Sequence, residues 1–246
     1  TINEGKLERR RAVGKLVELS DLLVHQPLIG KCGIGHTRWA THGGPSLINA
    51  HPHQFGKVSV VHNGIIENYQ QLRSKLFKLG YDPLTETDTE TVAMLTEYEL
   101  SKGKSPLNAV RYCLRQIKGA FALCFIFEGE NNLMIATRKG SPLAIGYGNG
   151  EMFVGSDAIA LSSMTDKISY LEDNDLALLT REEVCIEDGS GQPVSREVRN
   201  VRSDTHRYGK DGFKHFMEKE IFQQPNVLAT TIKHYVTPNG SLRLFD

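Results

Sequence analysis

The run Gly119-Ala120-Phe121-Ala122-Leu123-Cys124-Phe125-Ile126-Phe127 constrains this chain more than any other segment. Nine uncharged residues are too few to cross a bilayer, which takes about 20. With almost no polar position among them, they fit a β-strand buried on both faces better than the polar/apolar alternation of a half-exposed strand. The surrounding 246 residues supply enough chain for a real core. Their charges balance, with 29 Lys+Arg against 29 Asp+Glu, which removes the electrostatic footprint of a general nucleic-acid binder. The first residues, Thr1-Ile2-Asn3-Glu4, lack the apolar core of a signal peptide. Cys32, Cys113, Cys124 and Cys185 show no CxxC spacing and read as free thiols in a reducing cytoplasm. The expectation is a cytoplasmic globular protein that engages neither nucleic acid nor membrane.

Three helices are expected around this strand. Leu72, Leu76 and Leu79 follow Tyr69 at helical spacing and stop at Gly80. Thr87-x-x-Glu90 has capping-box spacing and opens a helix that runs to about Lys102, before Gly103. Ser105-Pro106 places a cap and a first-turn proline ahead of Leu107, Val110, Leu114 and Ile117. Short apolar pieces then follow at 133–136, 143–147, 152–154, 169–171 and 176–179, separated by Gly/Asn/Pro turn chemistry. Residues 184–187 and 194–198 flank Asp188-Gly189-Ser190-Gly191 as a hairpin. Helices early and strands late make the class α+β, not a regular βαβ alternation. Between Arg196 and Lys219, seven basic and four acidic residues read as a solvated surface rather than a phosphate site.

The polar residues concentrate between Gly35 and Asp88. The segment Gly35-His36-Thr37-Arg38-Trp39-Ala40-Thr41-His42-Gly43 reads as a polar strand with His36 and Arg38 on one side, ending in a Thr-His-Gly loop. Arg38 there offers a planar fork suited to a carboxylate, or is simply an edge-strand arginine. Val58–His62 reads as a strand that gives way to Asn63-Gly64, either an ordinary turn or a loop aiming two donors at a negative oxygen. Thr87 and Asp88 open a helix, and Asp88 is either a cap or the holder of an ammonium group. Arg38 and Asp88 together are the minimum needed to grip an α-amino acid as a zwitterion.

His36, His42, His51, His53 and His62 fall within 27 residues, but the segment has no carboxylate at ligand-like spacing, so no metal is expected. The nucleophile is harder to find. Cys32 lacks an evident activating base. Thr1 has an α-amine that could serve as its own base, yet Arg9-Arg10-Arg11 nearby look like part of an exposed arm.

Seven segments in order carry a resemblance: GHTRWATHG (35–43), NAHPH (49–53), VHNGIIEN (61–68), ETDTE (86–90), KGAFAL (118–123), GSPLAIG (140–146) and FMEKEIFQQP (216–225). They resemble the class II glutamine amidotransferase domain of the glutamine–fructose-6-phosphate aminotransferases, the isomerising glucosamine-6-phosphate synthases. The resemblance implies an N-terminal-nucleophile hydrolase fold, an αββα sandwich of two mostly antiparallel sheets between helical layers. It implies hydrolysis of glutamine to glutamate and ammonia without a cofactor, for amination of fructose 6-phosphate. By position in the motifs, Arg38, Thr41 and His42 would hold the substrate carboxylate and Asp88 its amine. Asn63 and Gly64 would form the oxyanion hole, with Trp39 as a gate to an ammonia channel.

The family domain begins with a nucleophilic cysteine, a first strand and a helix, and Thr1 matches a point about 35 residues further on. The expectation is therefore an incomplete domain over residues 1–225, with 226–246 leading toward a sugar isomerase domain, in a homodimer when full length. Such a chain, with no residue matching the nucleophile, is expected to bind glutamine or glutamate weakly and to be inactive alone. A non-catalytic amino-acid-binding module, or the glutaminase domain of another class II amidotransferase, are the alternative readings.

Overall fold

The buried run at 119–127 lies inside a seven-stranded sheet, and the rest of the fold is arranged about its two faces. The computed structural model describes residues 1–200, 210–236 and 240–242. The chain divides into two compact units, Thr1–Val201 and Arg202–Asp246. In chain order the first unit begins with a small hairpin, β1 (Ile2–Asn3) and β2 (Lys6–Leu7), then α1 (Leu16–His25), β3 (His53–Phe55) and β4 (Val58–Ile66). Three helices follow, α2 (Tyr69–Phe77), α3 (Asp88–Ser101) and α4 (Pro106–Gln116), and then β5 (Gly119–Phe127) and β6 (Met134–Lys139). The remainder is β7 (Ala144–Tyr147), β8 (Met152–Gly155), α5 (Ala158–Leu161), β9 (Lys167–Tyr170), β10 (Leu176–Leu179), β11 (Val184–Glu187), β12 (Pro193–Val194) and β13 (Arg199–Asn200).

The large sheet has the order β12-β11-β10-β6-β5-β4-β3 and the smaller one β13-β9-β7-β8, with every ladder antiparallel. Strand periodicity sends alternate residues of β5 to opposite faces. Phe121, Leu123, Phe125 and Phe127 pack under α2, α3 and α4, against Leu72, Leu76, Val92, Val110 and Cys113. Ala122 joins the other core, where Ala136 and Ala177 of the large sheet meet Ile145 of the small one. Beyond that sheet, Ala144 and Ile168 lie under Leu161 of α5. The layers therefore run helix, sheet, sheet, helix, as expected. Each large side chain that β5 buries contributes roughly 1.5–3 kcal/mol.

Local chemistry explains the helix starts. Ser105 Oγ accepts the Asn108 N–H, with Pro106 in the first turn of α4. Thr87 Oγ1 accepts the Glu90 N–H at the start of α3. The reciprocal half of a capping box is absent, because Glu90 turns its carboxylate to the N–H groups of Leu84 and Thr85 at 2.9 and 2.7 Å. Gly80 ends the α2 region with φ +85°, a conformation that favours glycine.

Three expectations are corrected. Residues 35–43 form no strand; the Arg38 guanidinium instead turns back onto the carbonyls of its own loop. Asn63-Gly64 is not a turn, since β4 continues through both to Ile66 in unbroken register with β5. Gly64 is needed there because a Cβ would lie 2.1 Å from the Ala120 carbonyl oxygen. The N-terminal arm is not loose either: Arg9 donates to the Pro52 carbonyl, Arg10 to Gln26, and Arg11 to Ile48 and Ala50. Helix α1, which buries none of its residues, was missed by the sequence reading although Leu16, Leu19 and Leu23 fall at helical spacing.

In the second unit, α6 (Phe216–Tyr235) carries Pro225 in its interior, and Lys219 pairs with Asp211 at 2.8 Å. The 225/226 division expected from the sequence falls inside this helix. Of the stretch 196–219 expected as solvated surface, 201–209 lie outside the described residues, and the expectation fails at both ends: Arg196 donates to the buried Asp175 and Lys219 is itself buried. Among the described residues no helix is long and apolar enough to cross a membrane.

Candidate active site

Where the end of β4, the start of α3 and the 35–44 loop meet, they enclose a cavity of about 280 Å³. Arg38, Trp39, Thr41, His42, Asn63, Gly64 and Asp88, the seven residues singled out in the sequence, all line it, together with His36, His51, His62, Thr87 and Thr89. Thr1 and Cys32 do not.

Asp88 is the first residue of α3, where the partial positive charge of a helix start favours a carboxylate. It is almost fully buried. Its Oδ2 accepts the Ile66 N–H at 2.8 Å and its Oδ1 the Thr89 N–H at 3.0 Å. A carboxylate accepts about four hydrogen bonds, so each oxygen keeps capacity for a ligand N–H. His42 Nδ1 and His62 Nδ1 each stand 3.9 Å from one of these oxygens.

Arg38 donates through Nη1 to the Gly44 carbonyl at 2.9 Å, and through Nη2 to the carbonyls of His42 and Gly43. Three of the five guanidinium N–H groups thereby close the loop, and two are left for an anion. The sequence reading of Arg38, as a carboxylate fork or an edge-strand arginine, missed this second task. Trp39 is 89% exposed at the rim.

Asn63 is held by His36, whose Nε2–H donates to Oδ1 at 2.8 Å. That contact fixes the amide's orientation and leaves the Asn63 NH₂ as the free donor. His36 stacks on His51 at 4.2 Å between ring centres, and His51 meets His53 edge-on at 4.7 Å. Burial pushes the His53 imidazole down to about 3, with Arg11, Arg9 and Arg38 adding to the shift. The same cause lowers His36 and His51. Burial takes His62 down to about 4 despite the opposing Asp88 charge. These rings are neutral at neutral pH, and among the described residues no group of three His, Cys, Asp or Glu is placed to hold a metal ion.

Of the two candidate nucleophiles, Cys32 is half-buried, and burial pushes its thiol up, away from the thiolate a nucleophile needs. The Thr1 amine donates to the Glu8 carbonyl at 2.9 Å, and burial lowers its pKa.

A family description of the glutamine amidotransferase domain matches residues 47–163, which contain Asn63, Gly64 and Asp88. Residues 47–163 are thus similar to glutamine amidotransferase domains. The chain is 55% identical over 236 residues to the glutamine–fructose-6-phosphate aminotransferase (isomerising) of Brucella abortus, covering 96% of the chain and 39% of that protein. To the enzyme of the same name from Zymomonas mobilis it is 50% identical over 247 residues, covering 100% of the chain and 41% of the relative. The chain thus spans about two fifths of the length of these relatives. Among solved structures, the glutamine phosphoribosylpyrophosphate amidotransferase of B. subtilis superposes with a TM-score of 0.53 at 26% identity, covering 64% of this chain and 35% of that one. A second, an allosteric regulatory enzyme of purine biosynthesis, superposes with the same score at 28% identity, covering 63% of this chain and 34% of that one.

Sequence reading of this candidate site overlooked its supports. His62 and Thr89 form a buried pair, Nδ1 to Oγ1 at 3.0 Å, directly beneath Asp88. Asn49 is buried between the 38–44 loop and Glu86. Nothing local marks either, because their partners are 27 and 37 residues away in the chain.

Proposed function

We propose that this chain is the glutaminase domain of a glutamine–fructose-6-phosphate aminotransferase, hydrolysing glutamine to glutamate and passing ammonia to a sugar isomerase domain. The observation that carries the reading is the convergence of Arg38, Thr41, His42, Asn63, Gly64 and Asp88 on one small cavity. In this reading the two unspent N–H groups of Arg38, with Thr41 and His42, receive the α-carboxylate. Asp88 receives the α-ammonium. The γ-amide then lies toward Asn63 and Gly64. In the complete enzyme, attack on the amide carbon by the family's N-terminal cysteine thiolate, which no residue of this chain matches, would put charge on the amide oxygen, and the Asn63 NH₂ and the Gly64 N–H would stabilise it. The cysteine's own amine, having taken the thiol proton, would pass it to the departing nitrogen, so that ammonia leaves and a thioester forms; water then adds to the thioester, releasing glutamate and returning the thiol. Trp39 lies at the rim, where it would gate the ammonia.

The amidotransferase domain is taken as residues 1–225, with 226–246 leading to the isomerase domain, in a cytoplasmic homodimer that uses no cofactor. A non-catalytic amino-acid-binding module is the second reading, favoured by the absence of Thr1 and Cys32 from the cavity wall.

Calorimetric titration with L-glutamine and L-glutamate tests the clamp. Both should bind the parent chain, and Arg38→Ala or Asp88→Ala should abolish measurable binding. In the complete enzyme the same changes should cripple glutamine use and spare use of free ammonia. Equal loss with both nitrogen donors would refute the assigned roles. Bound glutamine that is never turned over by the complete enzyme would support the second reading.

A further inference from the structure

Arg38 and Asp88 are fifty positions apart in sequence and on separate segments, so some contact must set the span between them. The 38–44 loop forms no ladder with any strand. Its closure by Arg38 is internal, with all three carbonyl acceptors lying within that same loop. Asn49 supplies the missing link. Its side chain is almost entirely buried. Nδ2 donates to the Gly44 carbonyl at 3.2 Å, the same oxygen that receives Arg38 Nη1. Nδ2 also donates to Glu86 Oε2 at 2.8 Å, while Oδ1 accepts the Glu86 N–H at 3.1 Å. Glu86 lies two residues before Asp88. One carboxamide is therefore bonded to the loop that carries Arg38 and to the turn that carries Asp88.

Gly43 confirms how closely the three parts meet. It has φ +75°, and a Cβ there would lie 2.7 Å from Asn49 Nδ2 and 2.8 Å from Glu86 Cβ. From the other side, Arg11 donates to the carbonyls of Ile48 and Ala50, the two residues flanking Asn49. The asparagine is thus fixed at its backbone as well as at its amide.

We propose that Asn49, paired with Glu86, is a positioning residue that sets the distance between the carboxylate-binding and ammonium-binding ends of the cavity. The proposal rests on the amino-acid clamp of the preceding section. Asn49 touches no ligand itself; it acts through Gly44 on Arg38 and through Glu86 on Asp88. Asparagine suits the task because one planar group donates and accepts at once. Aspartate at the same place would set two carboxylates against each other.

The test uses titration of this chain with three probes: L-glutamate, glutarate, which lacks the α-amine, and 4-aminobutyrate, which lacks the α-carboxylate. Asn49→Ala removes bonds to buried partners, and loss of register at both ends should weaken L-glutamate by roughly 10- to 100-fold. Glutarate and 4-aminobutyrate, each gripped at one end, should change by less than about threefold, a selectivity that general loosening of the fold would not produce. Asn49→Asp alone should be as weak as Asn49→Ala. Asn49→Asp combined with Glu86→Gln re-creates the pair with residue 86 but has no donor for the Gly44 carbonyl, so L-glutamate should stay weak.

An Asn49→Ala chain that binds L-glutamate as the parent does, or that weakens all three probes equally, overturns the proposal. Full recovery of L-glutamate affinity by the double substitution, which lacks the bond to Gly44, would do the same. If the parent binds L-glutamate but Arg38→Ala and Asp88→Ala leave that binding unchanged, the clamp itself falls. If those two variants lose binding and Asn49→Ala does not, only the positioning role falls.

Discussion

Replacing Gly64 by alanine isolates the demand that the end of β4 makes on the sequence. Gly64 has φ +129°, a region that residues with a Cβ rarely adopt, at a cost of about 1–3 kcal/mol. The added methyl would lie 2.1 Å from the Ala120 carbonyl oxygen and 2.9 Å from Phe121 Cα. These atoms belong to the central strand and cannot swing aside as the end of a side chain would. Overpacking of this kind costs about 1–3 kcal/mol more. At about 2–4 °C per kcal/mol for a chain of this size, thermal denaturation followed by circular dichroism should show Gly64→Ala melting roughly 10 °C below the parent. Gly80→Ala is the control. It also has positive φ, at +85°, but nothing lies within 4 Å of its Cβ, so only the backbone term of about 1 kcal/mol applies. If Gly64→Ala melts no lower than Gly80→Ala, the close approach of β4 to β5 is not what requires glycine there.

Acidification should weaken the fold in a defined window. Burial holds His62 down to about 4 and His53 to about 3, below the ordinary imidazole value near 6.5. Between pH 6.5 and 4 the unfolded chain therefore binds protons that the folded chain refuses. Stability falls as pH drops through that range, by roughly 1.4 kcal/mol per pH unit for each histidine, and urea midpoints at pH 7.5, 6 and 5 measure it. A midpoint that stays constant or rises on acidification would contradict this. Arg196→Ala should cost about 3 kcal/mol or more in urea denaturation. It strips two 2.7 Å bonds from Asp175, which is 1% exposed, and leaves a buried carboxylate short of partners. A change under 1 kcal/mol would mean the pair is better solvated than its burial implies.

Much of the fold was legible wherever one local rule sufficed. The run at 119–127 could only be an interior strand, and the Thr87 and Ser105 caps located the starts of α3 and α4. The site residues were legible as chemistry, since an arginine in a Thr-His-Gly context and an acid at a helix start both anticipate their cavity. What failed was geometry set by tertiary contact. Asn63-Gly64 has the composition of a turn, yet nine consecutive pairings with β5 keep it in a strand. The 35–43 segment alternates like a strand, but no neighbouring strand pairs with it, and Arg38 satisfies the local carbonyls instead. Asn49 reads as any loop asparagine until Glu86 is brought beside it.

The bond from the Ile66 N–H to Asp88 gives the molecule a built-in reporter. For that amide proton to exchange with deuterium, the buried carboxylate must first let go, and with it the start of α3 must part from the end of β4. Its exchange rate in heavy water therefore times how often the two elements separate, at a single backbone position and without any ligand or label.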